Sequence, residues 1–292
     1  MSTVVDTAPV PPEPAPGPVL QPRRRRRPVR SVVLFLAMIV IALVMLYPFY
    51  FMVDTSLRSQ DQFLHGGGHS FASWSILNQA LPWSRQLLNS TIVCTASIAI
   101  ILFVSSLAGF AFAKLRFRMS GFVLLAVIAA MLIPVQSIII PVYVNVARVH
   151  LLNTYAGAVI VYAALGTPFA TFLMTAYYRS IPDDVVEAGI VDGLSYGAVF
   201  RRIALPMSVP ALVTITVLQF IQIWDDLLVG LLFLQNPDQR TITVGLGALA
   251  AGRTTDIPVL MAGSLLSAIP AIAVYLVFQR FLINGLTAGI GK

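Results

Sequence analysis

Few residues in this chain have the types and spacing that chemistry requires. Asp225 and Asp226 stand side by side in IWDDLLVG, inside an otherwise apolar stretch. A carboxylate in a membrane segment is costly and normally faces a cavity or a partner. Such a pair accepts hydrogen bonds from solute hydroxyls, and Trp224 beside it offers an aromatic face for a sugar ring. Gln136, Tyr143, Gln219 and Gln222 are further polar groups in apolar surroundings. The plainer alternative ends the apolar segment early and leaves the two aspartates solvated near the outer surface.

Other motifs lose their chemistry on inspection. HGGGH (His65–His69) has the form of an oxyanion loop, but that use needs a G-x-S-x-G elbow and an α/β sheet, and neither is present. Its two histidines could hold a metal weakly; an outer loop is the plain reading. His150 belongs to no H-E-x-x-H. GLTAGIGK has a glycine spacing one residue too long for a phosphate loop, and Lys292 ends the sequence without the Ser/Thr that would hold Mg²⁺. Cys94, the sole cysteine, permits no intrachain disulfide and reads as a lipid- or core-facing apolar residue. No catalytic constellation, metal site or bound cofactor is expected.

The elements that must position these residues are membrane helices. Hydrophobic residues make up 58% of the 292, charged residues only 11%, and the mean hydropathy is +0.85. A soluble domain carries about 25% charged residues, so the lipid bilayer is the expected solvent. Stretches long enough to cross it, ~20 apolar residues each, fall at 31–53, 87–113, 121–145, 154–178, 206–234 and 258–283. Residues 1–30, proline-rich and carrying Arg23–Arg27, read as a disordered cytoplasmic tail. The basic run is an orientation signal rather than a nucleic-acid patch. With the tail inside, Arg23–Arg27, Arg30, Lys114, Arg116, Arg118, Arg179, Arg201, Arg202, Arg280 and Lys292 face the cytoplasm. Arg58, Arg85, Arg148, Arg240 and Arg253 face out. Fourteen against five obeys the positive-inside rule.

This places the polar stretch of about 180–205 in the cytoplasm, between spans four and five. Ser180 is positioned to cap a first short helix, with Pro182 and Asp183 in its opening turn. Gly193 supplies a stop that tolerates positive φ. Ser195 is positioned to cap a second helix, YGAVFRRIA, ending before Pro206. The result is a compact elbow with a polar and an apolar side, tied at both ends to membrane helices.

Glu187-Ala188-Gly189, three residues, Gly193, nine residues, then Ile203-x-Leu205-Pro206 resembles the EAA motif (EAA-x3-G-x9-I-x-LP) of permease subunits in ATP-binding cassette importers. Gly189 departs from the usual second alanine, a change worth roughly 1 kcal/mol of helix propensity. NTYAGAVIVYAALGTPFATFLMTAYYRSIPDDVVEAG and FQRFLINGLTAGIGK are similar to the carbohydrate branch of that family. The likeness covers about residues 31–292.

The resemblance implies an all-α integral membrane protein of six transmembrane helices, in the type I importer permease fold, with both termini cytoplasmic. It implies a multi-pass protein of the cell membrane whose partners are a second permease, two ATPase subunits and an extracytoplasmic sugar-binding protein. ATP and Mg would be used by the ATPases, not by this chain. The elbow would be the coupling helix, carried by Glu187, Ala188, Gly189, Asp192, Gly193, Phe200, Arg201, Leu205 and Pro206. A rigid elbow transmits a push that a floppy loop would absorb. An ion-driven secondary transporter is the alternative; it would need Asp225 and Asp226 as its ion site and leaves the elbow unexplained.

Overall fold

A computed structural model describes residues 28–115, 117–252 and 256–288, with backbone alone at 28–31 and 280–288. The Arg23–Arg27 run, nearly all of the N-terminal tail, Arg116, Arg253 and Lys292 lie outside the described residues. The chain divides after Pro48 into two units. The first, as described, is one apolar helix, the greater part of α1 (Pro28–Ser56).

Among the described residues of the second unit, all the regular secondary structure is helical. Two short helices, α2 (Gln60–His65) and α3 (Ala72–Ala80), precede the long α4 (Trp83–Lys114). Then come α5 (Ser120–Ala130), α6 (Val135–Arg148) and α7 (Tyr155–Ser180). The elbow follows as α8 (Asp183–Val191), α9 (Tyr196–Val199), a π turn over Phe200–Ala204 and α10 (Leu205–Met207). The chain ends with α11 (Val209–Trp224), α12 (Leu228–Phe233), α13 (Ile242–Ala250) and α14 (Ile257–Ala288). GLTAGIGK thus begins as helix, and its last four residues lie outside the described residues.

Among the described residues four helices are long and apolar enough to cross a bilayer: α1, α4, α7 and α14. Two further crossings are bent pairs, which brings the total to six if each pair is one span. The stretch read as a single span over 121–145 is α5 plus α6, bent by 97°. The cause is local. The N–H groups of Met131, Leu132 and Ile133 turn back to the third carbonyl behind them, and Pro134 then has no N–H to continue the ladder. Alone, the 11 residues of α5 reach about 16 Å at 1.5 Å per residue, short of a hydrocarbon core of ~30 Å. Pro48, Pro141, Pro168 and Pro270, by contrast, stay inside their helices.

The stretch read as 206–234 is also corrected. The elbow's last helices meet α11 at a 70° bend at Ser208, whose hydroxyl donates to the Leu205 carbonyl. The helix then stops at Trp224, and Asp225 and Asp226 follow it in a break before α12.

The core is built along α4 and α7. At Gly109 a Cβ would sit 2.6 Å from the Met174 Cβ, and at Gly166 one would meet the Gln219 amide at the same distance. Small residues at these crossings let the helix backbones approach closely. Cys94 is buried in this core. Helix α11 packs on α4, α7 and α14, and α14 packs on α3.

Candidate functional site

The elbow is a closely specified polar structure, with a defined stop, cap and grip among the described residues. α8 ends in a full Schellman stop: Gly193 takes φ +87°, its N–H donates to Ile190, and the Leu194 N–H donates to Gly189. Ser195 then caps α9 by accepting from the Ala198 N–H at 3.4 Å. Ser180 does not cap α8. It is the last residue of α7, and its hydroxyl donates to the Tyr177 carbonyl at 2.7 Å. The N-cap position belongs to Pro182, which offers no side-chain acceptor. Nor does the second helix stop before Pro206; after the π turn it runs to Met207.

α8 buries Val186 and Gly189 and presents Asp184, Glu187, Ala188 and Val191 as one exposed stripe at helical spacing. Val191 is 86% exposed, an apolar side chain offered at the tip of a polar surface. Asp192, Gly193, Arg201 and Pro206 are also exposed, whereas Phe200 is buried and Leu205 half-buried. The two arms of the elbow meet at Gly189. A Cβ there would lie 3.0 Å from Ile203 Cδ1 and 3.2 Å from Val199 Cγ2. The glycine that looked like a local weakening is therefore a contact point between two motif positions.

Behind the elbow, the C-terminal turn of α4 grips both arms. The Phe110 ring meets Tyr178 edge-on at 5.7 Å and Phe200 at 5.3 Å. One helical turn on, Lys114 Nζ donates to the Ile181 carbonyl at 2.5 Å and to the Asp183 carboxylate at 2.6 Å. The Tyr177 hydroxyl donates to the Met207 carbonyl at 2.8 Å, and the Tyr178 hydroxyl lies 3.2 Å from that of Ser208. The sequence reading missed Lys114 and Phe110; 69 residues separate Lys114 from Asp183, and no spacing rule connects them.

The polar candidates elsewhere do not form one site. Trp224 is 2% exposed, stacked on Phe220 with its Nε1 donating to the Ser267 carbonyl, so its face is not open to a solute. Gln219 is buried against Gly166. Asp226 accepts from the Tyr162 hydroxyl at 2.9 Å and from the Val229 N–H at 2.8 Å. It pins the start of α12 to α7. Asp225, Gln222 and Gln136 are exposed, and Tyr143 is half-buried against Phe233.

The segment after α12 is clamped by α4. Asn89 donates to the carbonyls of Asp238 and Arg240, Arg85 pairs with Asp238 at 2.8 Å, and Ser90 accepts from the Ile242 N–H. His65 and His69 bind different carboxylates, Asp61 and Asp54, each at 2.9 Å. Among the described residues no three His, Cys, Asp or Glu side chains gather to hold a metal. A groove of about 790 Å³ between α4, α5 and α7 is lined by aliphatic side chains, Phe112, Thr167 and Thr171, and receives none of the polar candidates.

Residues 101–284 match the family described as binding-protein-dependent transport system inner membrane component. An ABC transporter permease of Bacillus subtilis is 32% identical over 265 residues, 89% of this chain and 87% of that protein. The arabinooligosaccharides transport system permease of Halalkalibacterium halodurans is 26% identical, over 91% of this chain and 98% of its own length. A solved bacterial ABC transporter involved in import of the acidic polysaccharide alginate superposes with a TM-score of 0.74 at 23% identity. The match covers 90% of this chain and 99% of that one.

Proposed function

This chain belongs to the family of binding-protein-dependent transport inner membrane components, and from that premise we propose that it is one of two permeases forming the path of a carbohydrate importer. It is a permease of the inner membrane, and ATP hydrolysis resides in partner subunits. Carbohydrate as the solute rests on the likeness to oligosaccharide permeases. We assign coupling to the elbow. Glu187, Ala188, Asp192, Gly193, Arg201 and Pro206 form its outer surface, with Gly189, Phe200 and Leu205 as its inner supports.

The observation that carries this reading is the elbow's construction. A loop that merely linked α7 to α11 would not require a Schellman stop, a capped second helix, interlocked arms at Gly189 and a grip from α4. Together these make it stiff, and a stiff elbow passes ATPase closure on to the spans. In the proposed cycle, ATP closes two ATPases, the elbows move, and the cavity opens outward to receive sugar from a binding protein. Hydrolysis resets it.

For the solute path, Asp225, Gln222, Gln136 and Tyr143 retain side chains that are at least partly accessible. Asp226 is committed to Tyr162 and α12, which weakens the ion-driven alternative, since that reading needs both aspartates free for an ion.

Affinity purification of the tagged protein from its own membranes tests the proposal. Recovery of an ATPase and a second multi-span permease is expected. Recovery of the chain alone, or as a homo-oligomer in mild detergent, would remove the basis for the coupling assignment.

A further inference from the structure

We propose that Lys114 is a positioning residue for coupling, a third tether that joins the elbow to α4; this rests on the coupling role assigned to the elbow above. By covalent connection the elbow hands its motion to α7 and α11 alone. Helix α4 has no such connection; among the described residues it meets the elbow through side chains, and Phe110 and Lys114 near its C-terminal end make the ring contact and the hydrogen bonds.

Phe110 and Lys114 are four residues apart and therefore on the same side of the helix. Phe110 supplies contact without direction, because its ring can slide over Tyr178 and Phe200. Lys114 supplies direction. Its side chain is 3% exposed, and its ammonium divides its donors between the Ile181 carbonyl and the Asp183 carboxylate, the two ends of the short link from α7 into α8. A buried ammonium needs such partners, because leaving one unpaired costs several kcal/mol. It also sits at the carbonyl end of α4, where a positive charge is favoured. The charge is anchored on α4 and cannot follow solvent.

The choice of partners is informative. Ile181 is the C-cap of α7, and Asp183 opens α8. A lysine that only filled space would not need to hold both sides of that junction. Holding both fixes the angle at which α8 leaves α7. Any displacement of the exposed stripe at Asp184, Glu187 and Val191 is then felt by α4. At its far end, α4 holds the segment after α12 through Asn89 and Ser90.

The test uses the whole importer, with its partner permease and ATPases in liposomes. It reads how far the purified binding protein stimulates ATP hydrolysis. That readout needs the signal to travel from the outer face to the ATPases, and coupling between sites is reciprocal. Lys114→Met keeps the length of the side chain and removes its charge. The complex should assemble normally while stimulation falls about tenfold, and Lys114→Arg should restore it to within about twofold. A purely structural lysine would lower thermal stability and yield and leave stimulation of the assembled complexes intact; that result would overturn the proposal.

Should Lys114→Met not assemble, Asp183→Asn serves, because it changes a carboxylate that is 70% exposed. Stimulation should fall about threefold at unchanged stability, and unchanged stimulation would again overturn the tether. An unstimulated wild-type complex would instead remove the importer reading itself, and the tether with it.

Discussion

The elbow and the break after α11 are both irregular interruptions in a helical chain, and they are held in different ways. In the elbow the fixing bonds are local. Gly193, Leu194 and Ser195 close the turn with partners within five residues, and Lys114, Phe110 and the tyrosines of α7 reach in from outside. At the break a local bond, Val229 N–H to Asp226, is joined by distant ones: Tyr162 reaches Asp226 across 64 residues, and beyond α12 Asn89 reaches Asp238 and Arg240 across about 150. The elbow is a unit that can move as one piece, whereas the break is moulded by the helices around it. A mutation in the elbow should therefore impair coupling more than stability, and one at the break should do the reverse.

The largest expected effect tests the first half of that contrast. Gly193 has open space around it, so a side chain there is penalised through φ alone. A β-branched residue at φ +87° is strained by about 1–3 kcal/mol, while asparagine tolerates this region. Gly193→Val should insert and assemble yet lose transport by about tenfold or more, and Gly193→Asn should retain most of it. Equal transport by both variants in a vesicle assay would show that the turn geometry does not matter to coupling.

Next in size is the other half. Asp226→Ala leaves the Tyr162 hydroxyl and the Val229 N–H without their acceptor, at a cost of about 1–3 kcal/mol. Tyr162→Phe should cost about 1 kcal/mol. Thermal inactivation of the purified complex measures both. Because the residues share one bond, the double variant should be less destabilised than the sum of the singles. Full additivity would mean that the bond does not hold the break.

Asp225 separates the two aspartates. It is exposed and accepts none of the bonds that fix Asp226. Asp225→Asn should therefore change stability by less than about 0.5 kcal/mol. If Asp225 lines the path, uptake by cells grown on the importer's own sugar should fall several-fold. Unchanged uptake would remove it from the path.

The same contrast explains what was legible in the sequence. The elbow could be placed to within a few residues because glycine at a positive φ and serine at a cap announce themselves locally. The runs of apolar residues located the four long helices and the two bent pairs, because length in lipid is a one-dimensional requirement. The breaks at Pro134 and Ser208 were not legible. Pro141, Pro168 and Pro270 look the same in sequence and stay within helices, because there the surrounding packing absorbs the missing bond. Trp224 is ambiguous in sequence for a related reason: an aromatic ring in an apolar run serves equally as a ligand platform or as core. Only Phe220 and the Ser267 carbonyl decide between them.

The smallest expected effect falls where the elbow's two arms meet. Gly189→Ala gains about 1 kcal/mol of helix propensity and loses an amount of similar size to crowding, since the new methyl would stand 3.0 Å from Ile203 Cδ1 and 3.2 Å from Val199 Cγ2. The first of these is the free end of a flexible side chain, which can give by a few tenths of an ångström. The single variant should therefore lie within about 0.5 kcal/mol of wild type. Ile203→Val removes the methyl that collides and on its own should cost about 0.5–1.5 kcal/mol. Combined, the two changes should be better tolerated than their sum, because the new methyl occupies the volume that the old one vacated. Thermal inactivation midpoints of the four proteins complete the cycle. Strict additivity would mean that Gly189 and Ile203 do not share that space, and the stiffness of the elbow would then have to come from the Gly193 turn and the grip of α4 alone.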